Sequence, residues 1–351
     1  MADRLSAEIE IAVDGAMGII CLDRPQAINA LNGAMIETIK KALYDWQTDD
    51  KVRCVLIEGR GEKGLCAGGD VRAVRAAVLD GDIEAAHGFF AAEYEMNGLI
   101  ATYAKPIIAL QDGIVMGGGI GLSSHARYRI ATPTSRFAMP EAAIGFFCDV
   151  GVNAILARAP EPRALAFLLS GQAIEAADAI ALGLSDTMVP QNYLPQLRRR
   201  LIDCAQAGEV DTAIVSTLQG ESIDPGPANF LSFADTLAPV FSASDIGGLV
   251  AELEALAEDG DPAAAAMVHK FASSCPTSLA VILTSHRQAR RQRSIKAVLA
   301  LDLVLAKAMC LRPDFAEGVR ALLVDKDRKP VWSPGSYEAV DLGFAGNVLV
   351  S

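Results

Sequence analysis

At 351 residues the chain exceeds the size at which one hydrophobic core usually stops growing, so a main domain with a second element is expected. Apolar residues make up 51% and charged residues 21%, and the formal net charge of −12 argues against a nucleic-acid binder, which needs a basic face for phosphates. A few local Arg and Lys residues would still serve an anionic small molecule.

Seven scattered cysteines with no C-x-x-C pair suit free thiols in a reducing compartment rather than a disulfide framework. The four histidines show no ligand spacing, so no metal site is expected. The opening residues MADRLSAEIEIAV carry acids and lack an apolar stretch, and no apolar run approaches the roughly 18 residues of a membrane span. The expectation is a cytoplasmic protein that uses neither membrane nor nucleic acid.

In chain order, residues 8–13 alternate with strand period, Asp14-Gly15 is a hairpin signal, and residues 16–22 return as the partner strand. Residues 33–46 carry Met35, Ile36, Ile39, Leu43 and Trp46 at helical spacing. A short apolar strand at 54–58 leads through a glycine-rich loop to Gly68-Gly69-Asp70. The spacing then predicts one helix over 71–101, stopped by Lys105-Pro106, and a buried strand at 107–110. Gly117-Gly118-Gly119 opens a helix to His125; residues 127–131 read as strand, 135–139 as a short apolar segment, and 161–187 as a helix pair. Beyond about 190 strand signals nearly vanish. Helical periodicity marks 193–207, 249–258, 262–273 and 277–309, around an irregular loop at 219–239. Strands alternating with helices, followed by helices alone, predict an α/β domain over 1–200 and a helical cap over 201–351.

Two features could carry chemistry. Glycine pairs that follow strands and precede helices can point two backbone N–H groups at one carbonyl oxygen, which is an oxyanion hole; they can equally be tight turns that need glycine for shape alone. No phosphate-loop motif is present, and Gly119-x-Gly121-x-x-Ser124 lies too deep in its helix for a dinucleotide fingerprint. Glu141 and Asp149 sit among large apolar residues, FAMPEAAIGFFCDVG, where desolvation raises a carboxyl pKa and suits acid–base or nucleophilic work. Asp149 could instead cap the helix beginning near Gly151. His125 reads as a packed or capping histidine, and no histidine is placed by sequence to activate Cys66 or Cys148.

The segments DRPQAINALN, GLCAGGDVR, GIVMGGGIGLS and FAMPEAAIGFFCDVG together resemble the crotonase (enoyl-CoA hydratase/isomerase) superfamily, and within it the 3-hydroxyisobutyryl-CoA hydrolase branch. Gly121 stands where hydratases of the superfamily carry a second glutamate, Asp149 matches that branch's aspartate, and CPTSL at 275–279 with DFAEGVRALLVDKDRKPVW at 314–332 resembles its C-terminal extension. The resemblance implies a crotonase-like α/β spiral of stacked ββα units with a helical C-terminal region. It implies oxyanion amides at Gly69 and Gly118 and catalytic acids at Glu141 and Asp149. Substrate contacts fall on Glu93 of the Glu93-Tyr94 pair, on Arg24, Ala27 and Ile28, and on Leu65, Ala67 and Asp70. Coenzyme A enters as part of the substrate, with no permanently bound cofactor and no metal, and self-association is left open. The chain departs from the branch at Cys148, often proline there, and at Val152 and Asn153, often glycines.

The activity so implied is hydrolysis of a short, branched β-hydroxyacyl-CoA thioester, as in valine catabolism. Two alternatives stand beside it: an enoyl-CoA hydratase using Glu141 and Asp149 to cradle one water, and a non-catalytic acyl-CoA-binding protein.

Overall fold

The computed structural model describes residues 8–350. They divide into two compact units, each assembled from three stretches of chain. Unit one takes residues up to Gly69, Glu95–Phe137 and Glu175–Pro227; unit two takes Asp70–Tyr94, Ala138–Ile174 and residues from Ala228 onward.

Unit one is built on a six-stranded sheet in the order β1-β2-β3-β4-β6-β8. Its strands are β1 (Ile9–Asp14), β2 (Met17–Leu22), β3 (Cys54–Gly59), β4 (Ile107–Gln111), β6 (Tyr128–Ala131) and β8 (Thr187–Met188). The predicted hairpin forms β1 and β2 as the antiparallel edge, with Gly15 taking the left-handed turn position at φ 59°. From β2 onward every pairing is parallel, so each connection is a crossover. Buried on both faces, β2 and β4 are apolar or small throughout, apart from the terminal Gln111, instead of alternating. A second, two-stranded sheet pairs β5 (Ile114–Met116) with β7 (Arg136–Ala138), and β5 delivers the chain into the glycine triplet.

The expected boundary at 200/201 is not where the structure divides the chain. It falls inside the helix Leu194–Cys204, whose Leu197 and Leu201 share one core with Met17, Leu56, Ile108 and Ile130 of the sheet. The helix Val210–Glu221 adds Ile214 and Leu218 to the same core. Each such buried side chain contributes about 1.5–3 kcal/mol, enough to hold these helices to the sheet.

Unit two is helical. The single helix expected over 71–101 is two, Val71–Leu79 and Ile83–Ala101, the second counted in this unit only as far as Tyr94. Gly81 turns left-handed at φ 80° and the Asp82 carboxylate accepts the Ala85 N–H at 3.0 Å, so a stop and a start sit side by side. The stretch 277–309 likewise resolves into Pro276–Ala289 and Ile295–Met309, the second capped by Ser294. The irregular loop at 219–239 contains the helix Asn229–Thr236.

Candidate active site

Unit one carries the amide pair. The loop 64–69 runs beside β5: Cys66 N–H donates to Ile114 C=O at 3.0 Å, and Met116 N–H donates to Cys66 C=O at 3.0 Å. Gly119 makes that approach feasible, since a Cβ there would sit 2.4 Å from the Cys66 carbonyl oxygen. Gly68 adopts φ 116°, open only to glycine, and a Cβ on it would lie 3.6 Å from the Gly118 nitrogen. Glycine is thus needed for shape at 68 and 119, while among the described residues neither Gly69 N–H nor Gly118 N–H donates to a backbone or side-chain acceptor. The two neighbouring loops therefore each present an uncommitted amide.

The loop residues expected to meet coenzyme A belong to the same unit. Pro25–Ala27 is a 3-10 turn followed by left-handed Ile28 and Asn29, at φ 48° and 54°. Ala67 N–H donates to Ile28 C=O at 2.9 Å and Leu31 N–H to Gly68 C=O at 2.8 Å, so the two candidate loops are stitched together. Leu65 is buried and its N–H is taken by Asp112 C=O. The Arg24 side chain is engaged by Glu8 at 3.0 Å and by the Ala30 carbonyl at 3.0 Å, which gives it a structural duty in this loop. Asp70 is the exception: it belongs to unit two, half-buried at the start of the helix Val71–Leu79, and its side chain does not cap that helix.

Unit two carries the acids. Glu93 projects from the helix Ile83–Ala101, Glu141 from the 3-10 turn Glu141–Ile144, and Asp149 from the segment after it; all three are buried. Tyr94 donates its hydroxyl to the Asp149 carboxylate. The capping role weighed for Asp149 is not adopted, because the following helix, Val152–Leu156, has Gly151 at its N-cap and no side-chain cap. Phe146 stacks on Phe90 at 5.1 Å and meets Phe147 and Phe315, a buried aromatic cluster on the segments that carry the acids.

Electrostatics follow from the burial of the acids. Burial, then the charge of Asp149, holds the Glu93 and Glu141 carboxyls well above the usual range. Burial pushes Asp149 up to about 7, with the Tyr94 hydrogen bond pulling the other way. Burial keeps Tyr94 itself a phenol, hence a donor. Among the described residues Glu141 Oε2 and Glu93 Oε1 are buried without a hydrogen-bond partner, as expected of acceptors reserved for a ligand or water. The cluster can hold and pass a proton near neutral pH, which general acid–base and nucleophilic catalysis both require.

The C-terminal segments support Glu141 directly. Cys275 N–H donates to Ala142 C=O at 2.9 Å. A Cβ on Gly318 would meet the Ile144 backbone at 2.4 Å, and one on Gly145 would meet the Asp314 carbonyl at 2.3 Å, so the helix Pro313–Val319 lies against the Glu141 turn.

Sequence reasoning missed the buried polar residues Asp302 and His286 here, and marked Asn153 only as a departure from the branch. Asp302 accepts the Gly151 N–H at 2.8 Å, and Asn153 links the Cys148 carbonyl to His286 Nδ1 at 2.9 Å. The one available signal was periodicity: Asp302 shares a helix face with Val298, Leu305 and Met309, all buried.

The family model for enoyl-CoA hydratase/isomerase matches residues 17–347. The 3-hydroxyisobutyryl-CoA hydrolase, mitochondrial, of Gallus gallus is 35% identical over 345 residues, covering 97% of this chain and 88% of the relative. That of Danio rerio is 35% identical over 100% of this chain and 91% of the relative. Among solved structures, a carnitinyl-CoA dehydratase from Mycobacterium thermoresistibile superposes with a TM-score of 0.90 at 32% identity, covering 98% of this chain and 96% of that one. An enoyl-CoA hydratase from Rhodobacter sphaeroides 2.4.1 gives 0.88 at 34%, covering 98% and 97%. These relatives correct one expectation: the hydrolases are named as mitochondrial, so the cytoplasmic location inferred from the cysteines and the opening residues is not upheld. With its crotonase-like fold and a match over nearly its whole length, the chain belongs to the enoyl-CoA hydratase/isomerase superfamily, alongside hydrolases of 3-hydroxyisobutyryl-CoA.

Proposed function

We propose that the protein is an acyl-CoA thioester hydrolase acting on a short β-hydroxyacyl-CoA, with 3-hydroxyisobutyryl-CoA as the first substrate to test. The observation that carries this reading is where the acids lie. The helix Gly118–Ser123 reads GGIGLS and bears no carboxyl group, whereas Asp149 joins Glu141 in a dry cluster. The full-length match to relatives named as hydrolases supports it.

In this reading the Gly69 and Gly118 N–H groups receive the thioester oxygen and stabilise the negative charge that forms on it. One such donor is worth about 3 kcal/mol of transition-state stabilisation. Glu141, when ionised, either attacks the carbonyl carbon or takes a proton from the attacking water. The carbon–sulfur bond breaks, the thiolate leaves, and the free acid is released after water is added. Asp149, held by Tyr94, orients the β-hydroxyl or the attacking group, and Glu93 orders the acyl end. Coenzyme A is part of the substrate, bound against residues 24–28 and 65–67.

The test is an acyl-CoA panel assayed for free thiol. Thiol release from 3-hydroxyisobutyryl-CoA that is lost in Glu141→Gln supports the proposal. Hydration of crotonyl-CoA without thiol release favours a hydratase, the activity named for one superposed structure. Tight binding without turnover, unchanged in Glu141→Gln, favours a binding protein. A single turnover in oxygen-18 water separates the two hydrolytic routes, because only an anhydride intermediate labels the Glu141 side chain.

A further inference from the structure

Asp302 is a buried acid on the helix Ile295–Met309, and nothing in the proposed chemistry uses it. Its Oδ2 accepts the Gly151 N–H at 2.8 Å in a buried bond that spans 151 residues of sequence. Gly151 is the second of two left-handed residues that directly follow Asp149: Val150 has φ 53° and Gly151 φ 73°. The Asp149 carbonyl accepts the Val152 N–H at 3.1 Å and closes the turn. Positive φ at both central positions is the pattern of a type I′ turn, which favours Gly, Asn and Asp. A β-branched residue there is an outlier that persists only where its surroundings enforce it.

One contact reaches this turn from far along the chain. The Gly151 N–H, at the middle of this turn, is buried and needs an acceptor, and Asp302 supplies one from a distant helix. We propose that Asp302 is a positioning residue for Asp149: its grip on the Gly151 amide holds the strained Val150-Gly151 turn and so fixes the direction in which the Asp149 side chain leaves the backbone. The clamp keeps that carboxylate where the Tyr94 hydroxyl meets it. The inference rests on the reading of Asp149 as a working acid, and not on the identity of the acyl group.

The test compares Asp302→Ala, Asp302→Asn and the double variant Val150→Gly/Asp302→Ala in the full chain. Two readouts are taken: acyl-CoA turnover, and site-resolved hydrogen exchange of the Gly151 amide. The alanine variant is expected to lose at least tenfold in kcat with KM within threefold, and to exchange the Gly151 amide at least tenfold faster. The asparagine variant keeps an acceptor oxygen and restores both to within threefold of wild type. Val150→Gly in the alanine background recovers most of the lost kcat, because glycine holds a positive φ unaided. Should the alanine variant fail to fold, Asp302→Ser, too short to reach the amide, takes its place in every comparison. An alanine variant within threefold of wild type in kcat, an asparagine variant as impaired as alanine, or unchanged Gly151 protection would overturn the proposal. Absence of thiol release by the wild type would instead sink the hydrolase reading, and the exchange comparison, which needs no turnover, would still decide this one.

Discussion

The Tyr94 hydroxyl donates to the Asp149 carboxylate, and both groups are buried. That bond favours the ionised form of an acid whose surroundings otherwise favour the neutral one. Asp149 is thereby poised close to neutral pH, where a modest change in its environment switches its charge.

Removing the phenol hydroxyl should tip that balance. Tyr94→Phe is expected to move the acid limb of the kcat/KM profile upward from about 7, by about one to two pH units, since a hydrogen bond to a charged group is worth about 1.5–3 kcal/mol. The pH–rate profile with a thiol-releasing substrate checks it, and a limb that stays in place would separate Asp149 from the rate-limiting ionisation.

Asp149→Asn should act on Glu141 in the opposite sense. The charge of Asp149 is the second cause of the raised Glu141 carboxyl, after burial, so its loss lets Glu141 ionise at lower pH. The acid limb is expected to move down while kcat falls by about 10²-fold or more, the usual contribution of a positioned acid–base group. A variant that loses rate with no shift of the limb would show that the two carboxyls do not feel one another.

Gly119→Ala tests whether the amide pair depends on close loop packing. The new Cβ would meet the Cys66 carbonyl at 2.4 Å, so the loop 64–69 must move away from β5. A stability loss of about 1–3 kcal/mol is expected from the overpacking, with thiol release lowered by about 10²-fold as the oxyanion donors separate. Gly220→Ala is the control: nothing lies within 4 Å of its Cβ position, within the helix Val210–Glu221, and it should stabilise slightly.

The buried acids should also set how stability varies with pH. Asp149 is raised from 3.8 to about 7 in the folded protein, so between those values the folded state binds more protons than the unfolded one. Its contribution is therefore fully present below about 4 and is lost as pH rises through about 7. Glu93→Gln mimics the protonated acid and should raise Tm by a few degrees at pH 8 and by little at pH 5, read by thermal denaturation.

Much of this was legible in sequence because it is local. The hairpin at Asp14-Gly15, the strand runs and the glycine triplet each announce themselves within a few residues, and Glu141 and Asp149 stood out by their apolar neighbours. What escaped depends on partners far along the chain. Asp302 looks like an interruption in IKAVLALDLVLAKAM until Gly151 is seen opposite, and Asn153 and His286 meet across 133 residues. The break at Asp80-Gly81 was hidden because apolar residues recur on both sides of it. The boundary expected at 200/201 failed for the same reason: the affinity of Leu197 and Leu201 for the sheet is set by shape in three dimensions and leaves no mark on composition.

The way Cys275 and the helix Pro313–Val319 brace the Glu141 turn bears on synthesis. Glu141 leaves the ribosome long before the residues that fix its backbone, so a nascent chain carries the acid without its brace. Competence then waits on residues 275–319, and a chain cut short ahead of residue 275 should be inert even where its sheet has folded. An acid made early is thus armed only by segments made well after it.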